Sequence, residues 1–422
     1  MIHWKKTLTA LTMSASLFMA PIGTAMAATA VQTLLYGAAV MAMAKKQLTA
    51  MDDASQKQML ANTQQKTGVT HDQAYNERLE QIARTLVSTG MIQRDYDVYV
   101  NPSNELNAFE TIGGVISVNQ GMMDVLNDDE LAFTLCHEMQ HGEKRHAVNG
   151  VLKSIGISTL IDVAMGGNAD VLDVLLGSVA VNYIDNEVVT MDQEKEADAM
   201  GFNILKHTAY NVGGAPSSMQ FVYEKYGDLY TEGFKRVISP NNHPQMSNRI
   251  EKLARRVTKW SGNHVQVGGD TVYVHTLPVV RPAADGAYSS RRRAFLVEGN
   301  LARIMNNIYG EAPKDNKVQD TPLMTAGNTK SVSDMKSPKP APVTWQVQLD
   351  GRQVMVNGTR IMTCASGDNG PEIVQNLEKS LQAIPAMLSK SEITKRNTAW
   401  KQKYGYKALK KEKTKTVKAA SV

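Results

Sequence analysis

His137 and His141 stand four residues apart, with Glu138 beside the first of them. On a helix this spacing puts both imidazoles on one face, one turn apart, so both can reach one ion. Glu138 can then reach a water polarised by that ion without filling a coordination position. Zinc lowers the pKa of such a water toward about 7, and a neighbouring carboxylate can take its proton. These three residues could carry out metal-assisted hydrolysis.

A catalytic zinc needs a third protein ligand and an open position. His146 follows His137 by nine residues, which on an unbroken helix places it on the opposite face. It therefore reads as a surface or supporting histidine. The best third ligand is Glu194. Asp198, one turn on, shares its face and could accept a hydrogen bond from a ligand imidazole, fixing its tautomer. Glu196 points largely away. The other reading of Glu194 and Asp198 is a solvated helix face.

Several elements must position these groups. Asp128-Asp129-Glu130 starts a helix, with acid in its first turn, and that helix runs through the two histidines to about His146. Residues 151–165 and 170–183 read as two buried apolar helices, and a further helix carries Glu194 and Asp198. Another begins near His243-Pro244, with Pro in the first turn, and reaches about Trp260. Upstream, residues 50–90 look helical. Tyr96 to Val100 and Val115 to Asn119 alternate as strands, with Ile116 and Val118 facing the core and Val115, Ser117 and Asn119 facing outward.

The chain of 422 residues is long enough for two or three domains. Residues 1–27 read as a signal peptide: Lys5 and Lys6, an apolar run from Leu8 to Ile22, then Ala25-Met26-Ala27 before a cut. The second apolar stretch, Ala28 to Ala44, reads as a packed helix, the alternative being a segment in or on a membrane. A peptidase domain is expected over 28–262 and an extension of uncertain structure over 263–310. Residues 311–342, rich in Pro, Ser, Thr and Lys, read as a disordered linker. Over 343–394 a small α/β module is expected: three short strands joined by turns at Asp350-Gly351 and Asn357-Gly358, then a helix with the stripe Ile373, Leu377, Leu381, Ile384. The end, 395–422, reads as a basic disordered tail. Weak attachment to anionic lipid or cell-wall polymer is the alternative to plain solvation.

The net charge of +5 is modest, and no nucleic-acid-binding signature accompanies it, so nucleic acid is excluded as a partner. Two cysteines, Cys136 and Cys364, make no disulfide framework. Cys136 reads as a small buried thiol.

Four segments resemble the HtpX-like and CAAX-prenyl-protease family of zinc metallopeptidases, above all its secreted bacterial branch of BepA-like and LoiP-like proteases. They are Asn107-Ala108-Phe109 through Gly121, Asp129 through His137, His141 and Arg145-His146, Glu194 through Asp198, and His243-Pro244 with Arg249. The resemblance runs from about residue 70 to 260. It implies an α+β fold: a mostly helical gluzincin-type domain with a small sheet edging the cleft. It also implies one zinc per chain bound by His137, His141 and Glu194, with Glu138 as base and Asp198 behind a ligand. It makes Val115 to Asn119 the edge strand to which an extended peptide adds, and it puts His243 at the rim of the site as an oxyanion donor, an inhibitory fourth ligand or a helix cap. The family's usual Ser-Arg before the glutamate ligand is replaced by Thr190 and Met191. The function implied is an endopeptidase of the periplasm or cell envelope acting on unfolded or misassembled proteins. The competing reading is a zinc-stabilised, chaperone-like binding protein. A protease embedded in the membrane through Ala28 to Ala44 is a third.

Overall fold

The computed structural model describes residues 30–156, 176, 189–228, 246–312 and 343–411, with side chains from residue 37 onward. The expected signal peptide, most of the linker, much of the apolar pair over 151–183, and His243 lie outside the described residues.

The first elements of the described residues are three helices: α1 (Ala30–Ala54), α2 (Gln56–Thr67) and α3 (Gln73–Val87). Asp72 caps α3 by accepting from the amides of Ala74 and Tyr75. Next come β1 (Asp97–Asn101), β2 (Ala108–Thr111), β3 (Val115–Asn119) and the short α4 (Gln120–Met123). The long α5 (Asp128–Glu143) and α6 (His146–Ile155) follow, then α7 (Met191–Leu205), α8 (Gly214–Tyr226) and α9 (Met246–Trp260). After these come β4 (Val265–Gly268), β5 (Thr271–Val274), β6 (Leu277–Val280) and α10 (Ser290–Tyr309). Last are β7 (Val347–Asp350), β8 (Gln353–Val356), β9 (Thr359–Thr363), α11 (Gly370–Leu381) and α12 (Lys390–Tyr404). The architecture is α+β, mostly helical, with three small three-stranded sheets among the described residues. Among the described residues no helix is long and apolar enough to cross a membrane.

The first sheet has the order β1-β3-β2, β3 being parallel to β1 and antiparallel to β2. This overturns the reading of Val115 to Asn119 as an edge strand. Val115, Ser117 and Asn119 lie on the central strand, their main chain already paired on both sides. All five residues of β3 are buried, because the sheet is covered on both faces: Ile116 and Val118 join the core beneath α5, and Val115 joins a smaller cluster with α1 and α6. Asn101 donates to Ser117 Oγ at 2.9 Å and to Asn119 Oδ1 at 2.7 Å. The strand at the edge of the sheet beside α5 is β2, all four of whose residues are buried. That strand is short, and Glu110-Thr111 hides its alternation in the sequence. Gly113 and Gly114, with φ of 92° and 68°, make the tight turn between β2 and β3.

α1 is fastened to this region by Asp52, which is buried. Its Oδ1 accepts from the Gly113 amide at 2.8 Å, and its two oxygens pair with Arg94 at 2.8 Å and Arg145 at 2.5 Å. Arg94 also donates to Gly142 O, at the end of α5, at 2.6 Å.

The boundary expected at 262 does not separate two bodies. Arg292 of α10 pairs with Glu130 of α5 through bonds of 2.8 and 2.9 Å, both residues being fully buried. Its guanidinium lies between the rings of Phe221 and Tyr288. Nor is the C-terminal module separate. Val354, Val356, Ile361, Leu377 and Trp400 share one core with β4–β6, α10, Tyr223 and Ile250. The two expected hairpin turns are present, with φ of 57° at Gly351, 48° at Asn357 and 75° at Gly358. The helix stripe holds at Ile373, Leu377 and Leu381, but Ile384 lies past the end of α11 and is 81% exposed. The tail expected from 395 is helical through Tyr404 and, after a bend at Gly405, again over 406–411; Trp400 and Asn397 are buried, and Asn397 accepts from the Gly269 amide at 3.0 Å. Residues 412–422 lie outside the described residues.

Candidate metal centre

The helix that carries the two histidines is fixed at its start by a capping box. Asn127 Oδ1 accepts from the Glu130 amide at 3.0 Å, and Glu130 accepts from the Asn127 amide at 3.1 Å. Glu130 therefore both caps α5 and anchors Arg292, which fixes the helix axially. His137, Glu138 and His141 lie two to four turns further on, all buried.

α7 crosses beside α5 at close range. Gly201 permits this, since a Cβ there would meet the backbone of Cys136 and His137 at 3.2 Å. The approach brings Glu194, near the start of α7, to the two imidazoles. His137 Nε2 and His141 Nε2 face each other at 3.1 Å. Glu194 Oε2 lies 3.6 Å from His137 Nε2, and Oε1 lies 3.4 Å from His141 Nε2. Ligands about 2.0–2.1 Å from a tetrahedral zinc are separated by about 3.3 Å, and these three separations bracket that edge. Two imidazoles and a carboxylate are also the donor set zinc favours in hydrolytic sites. The residues fit the metal. Burial, then His137 and His146, hold His141 well below the usual histidine range, which keeps it in the neutral form a metal requires.

Behind these three residues, His137 Nδ1 lies 3.1 Å from Asp198 Oδ1. Arg249 of α9 grips Asp198 through two bonds, Nε to Oδ2 at 2.8 Å and Nη2 to Oδ1 at 2.7 Å, and reaches Glu194 Oε2 with Nη1 at 2.7 Å. Burial alone would raise the Asp198 carboxyl, but Arg249 and His137 outweigh it and hold Asp198 below the usual carboxylate range. The replacement of the family's Ser-Arg pair leaves α7 supported by other means. Thr190 and Gln193 form a capping box at its start, and Arg249 holds its buried face.

His146 is neither on the surface nor on the far side. α5 ends at Glu143, and Arg145 adopts a left-handed conformation with φ 52° and ψ 43°. The chain turns back there, so that His146 Nδ1 sits 2.9 Å from His141 Nδ1. No sequence signal marks Arg145 as left-handed, since glycine or asparagine usually takes that role. Glu196 also does more than face solvent: its oxygens lie 3.2 Å from Lys144 Nζ and 3.7 Å from His146 Nε2. Cys136 and Cys364 are both free and buried, one in each of the two main cores.

Residues 72–257 match the model of peptidase family M48. Metalloprotease YcaL of Escherichia coli is 27% identical over 188 residues, 43% of this chain and 70% of that protein. Metalloprotease LoiP of Escherichia coli is 26% identical over 189 residues, 44% of this chain and 71% of that one. A putative beta-barrel assembly-enhancing protease of Vibrio cholerae is 24% identical over 218 residues, 48% of this chain but only 42% of its own length.

Proposed function

We propose that this chain, a metalloendopeptidase by its family M48 segment over residues 72–257, is a zinc enzyme of the gluzincin type. It would bind one ion through His137, His141 and Glu194 and cut extended polypeptide. The observation that carries this reading is the convergence of two imidazole nitrogens and both oxygens of the Glu194 carboxylate, at 3.1 to 3.6 Å, on a space suited to one ion. Zinc bound there supplies Lewis acidity, acidifying a water and polarising the scissile carbonyl. Glu138, beside His137 and outside the ligand set, would accept the proton of the attacking water and pass it to the leaving nitrogen. Asp198 orients His137, and Arg249 holds Asp198 and Glu194 in place. An extended peptide would add to the outer side of β2, the edge strand beside α5, through main-chain hydrogen bonds. Such binding tolerates varied side chains, which suits unfolded or misassembled proteins of the cell envelope as substrates and an exported, periplasmic location.

Glu138→Gln should lower peptide hydrolysis by at least about 100-fold and leave about one zinc per chain by metal analysis, because the base is not a ligand. Glu194→Ala should lose both metal and activity. Full turnover in metal-loaded Glu138→Gln protein would sink the assignment of the base, and full metal content in Glu194→Ala would sink the ligand set.

A further inference from the structure

We infer that His146 is a positioning residue for the metal, holding ligand His141 in its binding tautomer as the middle member of a relay that begins at Glu196. The inference rests on the zinc reading given above. An imidazole that binds metal through Nε2 carries its proton on Nδ1. His141 Nε2 is the atom turned toward His137 and Glu194, so its proton belongs on Nδ1, which faces His146 Nδ1 at 2.9 Å. That bond requires a lone pair on His146 Nδ1 and so puts the His146 proton on Nε2. His146 Nε2 in turn faces Glu196 Oε2 at 3.7 Å, and Glu196 is itself drawn in by Lys144 at 3.2 Å. The His141 tautomer is set by its bond to His146, and the Glu196 charge, at ion-pair distance, favours the His146 proton on Nε2.

The backbone is shaped for this contact. Five residues along a continuous helix, His146 would point about 140° away from His141. The left-handed Arg145 cancels that rotation. Its guanidinium is tied to Asp52 at 2.5 Å and to Asp53 at 2.6 Å, so the bend is anchored from α1. Both imidazoles are buried, at 4% exposure each, and the rings meet edge to face at 4.9 Å between centroids. The two ligand histidines are thus supported differently: His137 leans on an ionised carboxylate, and His141 leans on a second imidazole. Without His146, the His141 ring would have no partner from this relay to decide which nitrogen bears the proton.

The test measures zinc affinity by chelator competition, alongside the melting temperature of the metal-free protein. For His146→Leu, zinc affinity should fall about 10- to 100-fold, while the metal-free protein melts within about 2 °C of the parent. His146→Asn offers a side-chain oxygen as acceptor and should recover most of the affinity. Glu196→Gln should weaken binding only a few-fold and add nothing on top of His146→Leu. Zinc affinity within twofold of the parent in His146→Leu would overturn the inference. So would equal affinity losses in the Leu and Asn variants accompanied by equal losses of metal-free stability, which is what a packing role predicts. A parent protein that binds no zinc would instead defeat the metal reading itself.

Discussion

At the scale of single residues, the site separates ligands from the groups that hold them, and His243 is the named residue whose place in that scheme is decided by kinetics. As a donor to the oxyanion it would stabilise the tetrahedral state by a few kcal/mol, so His243→Ala would slow hydrolysis with zinc affinity nearly unchanged. As a fourth ligand it would hold the enzyme off, so the same change would speed hydrolysis and loosen zinc. Unchanged rate and affinity, measured side by side, would leave only a helix cap. His137, His141 and Glu194, which the structure brings together, could be picked out in the sequence, the two histidines by their helical spacing. His146 could not be, because its position depends on one backbone dihedral: the rotation at Arg145 inverts the side on which every later residue falls. The contacts of Glu196 were hidden for a related reason. It points away from the metal, but toward a histidine that the bend carries round to meet it.

At the scale of elements, strand existence was easier to read than strand order. Val115 to Asn119 forms the strand its alternation predicts, but whether a strand is central or at an edge depends on which strands pair with it, and β1 and β2 take both sides of this one. The second sheet carries a titratable fastening of its own. His264 Nδ1 and His275 Nε2 meet at 2.7 Å, and His275 Nδ1 donates to Ser380 O of α11 at 2.9 Å. Burial, then His275, push the His264 pKa down to about 4. A histidine depressed in the folded state takes up protons more readily when unfolded, so its contribution is complete above about pH 6.5 and is lost as pH falls toward 4. Denaturant melts between pH 7.5 and 4.5 should show metal-free protein losing stability over that window. His264→Gln should flatten that part of the curve, by on the order of 2 kcal/mol at its lower end. Parallel curves for parent and variant would rule out the pair as the cause.

At the scale of the whole molecule, the metal centre is only one side of a continuous structure. The family match ends at residue 257, yet the metal helix is pinned through Glu130 to Arg292, and α10 in turn holds the C-terminal module through Arg293. Arg293 bonds Asp368 at 2.8 Å and Thr363 O at 2.7 Å. A protein ending at residue 312 would expose the apolar surface that Val354, Ile361, Leu377 and Trp400 now cover. At about 25 cal/mol per Å² of apolar surface, that loss amounts to several kcal/mol. Such a truncation should aggregate or melt at least about 10 °C below the full chain, even with zinc present. An unchanged melting temperature would show that the two cores are independent. Composition made the module's strands and turns readable, but nothing in a single sequence says that two segments on either side of a polar stretch share one core.

The clip at Asp52 also bears on time. Its bond to Arg145 joins residues 93 apart in the chain, and closing so long a loop costs more entropy than closing a helical turn. The helix carrying His137 and His141 can therefore form locally while the bend that presents His146 waits for α1 to dock. Contacts of such long range are slow to form. Catalytic geometry is thus acquired near the end of folding, and a half-folded copy carries the histidines of the enzyme without yet being one.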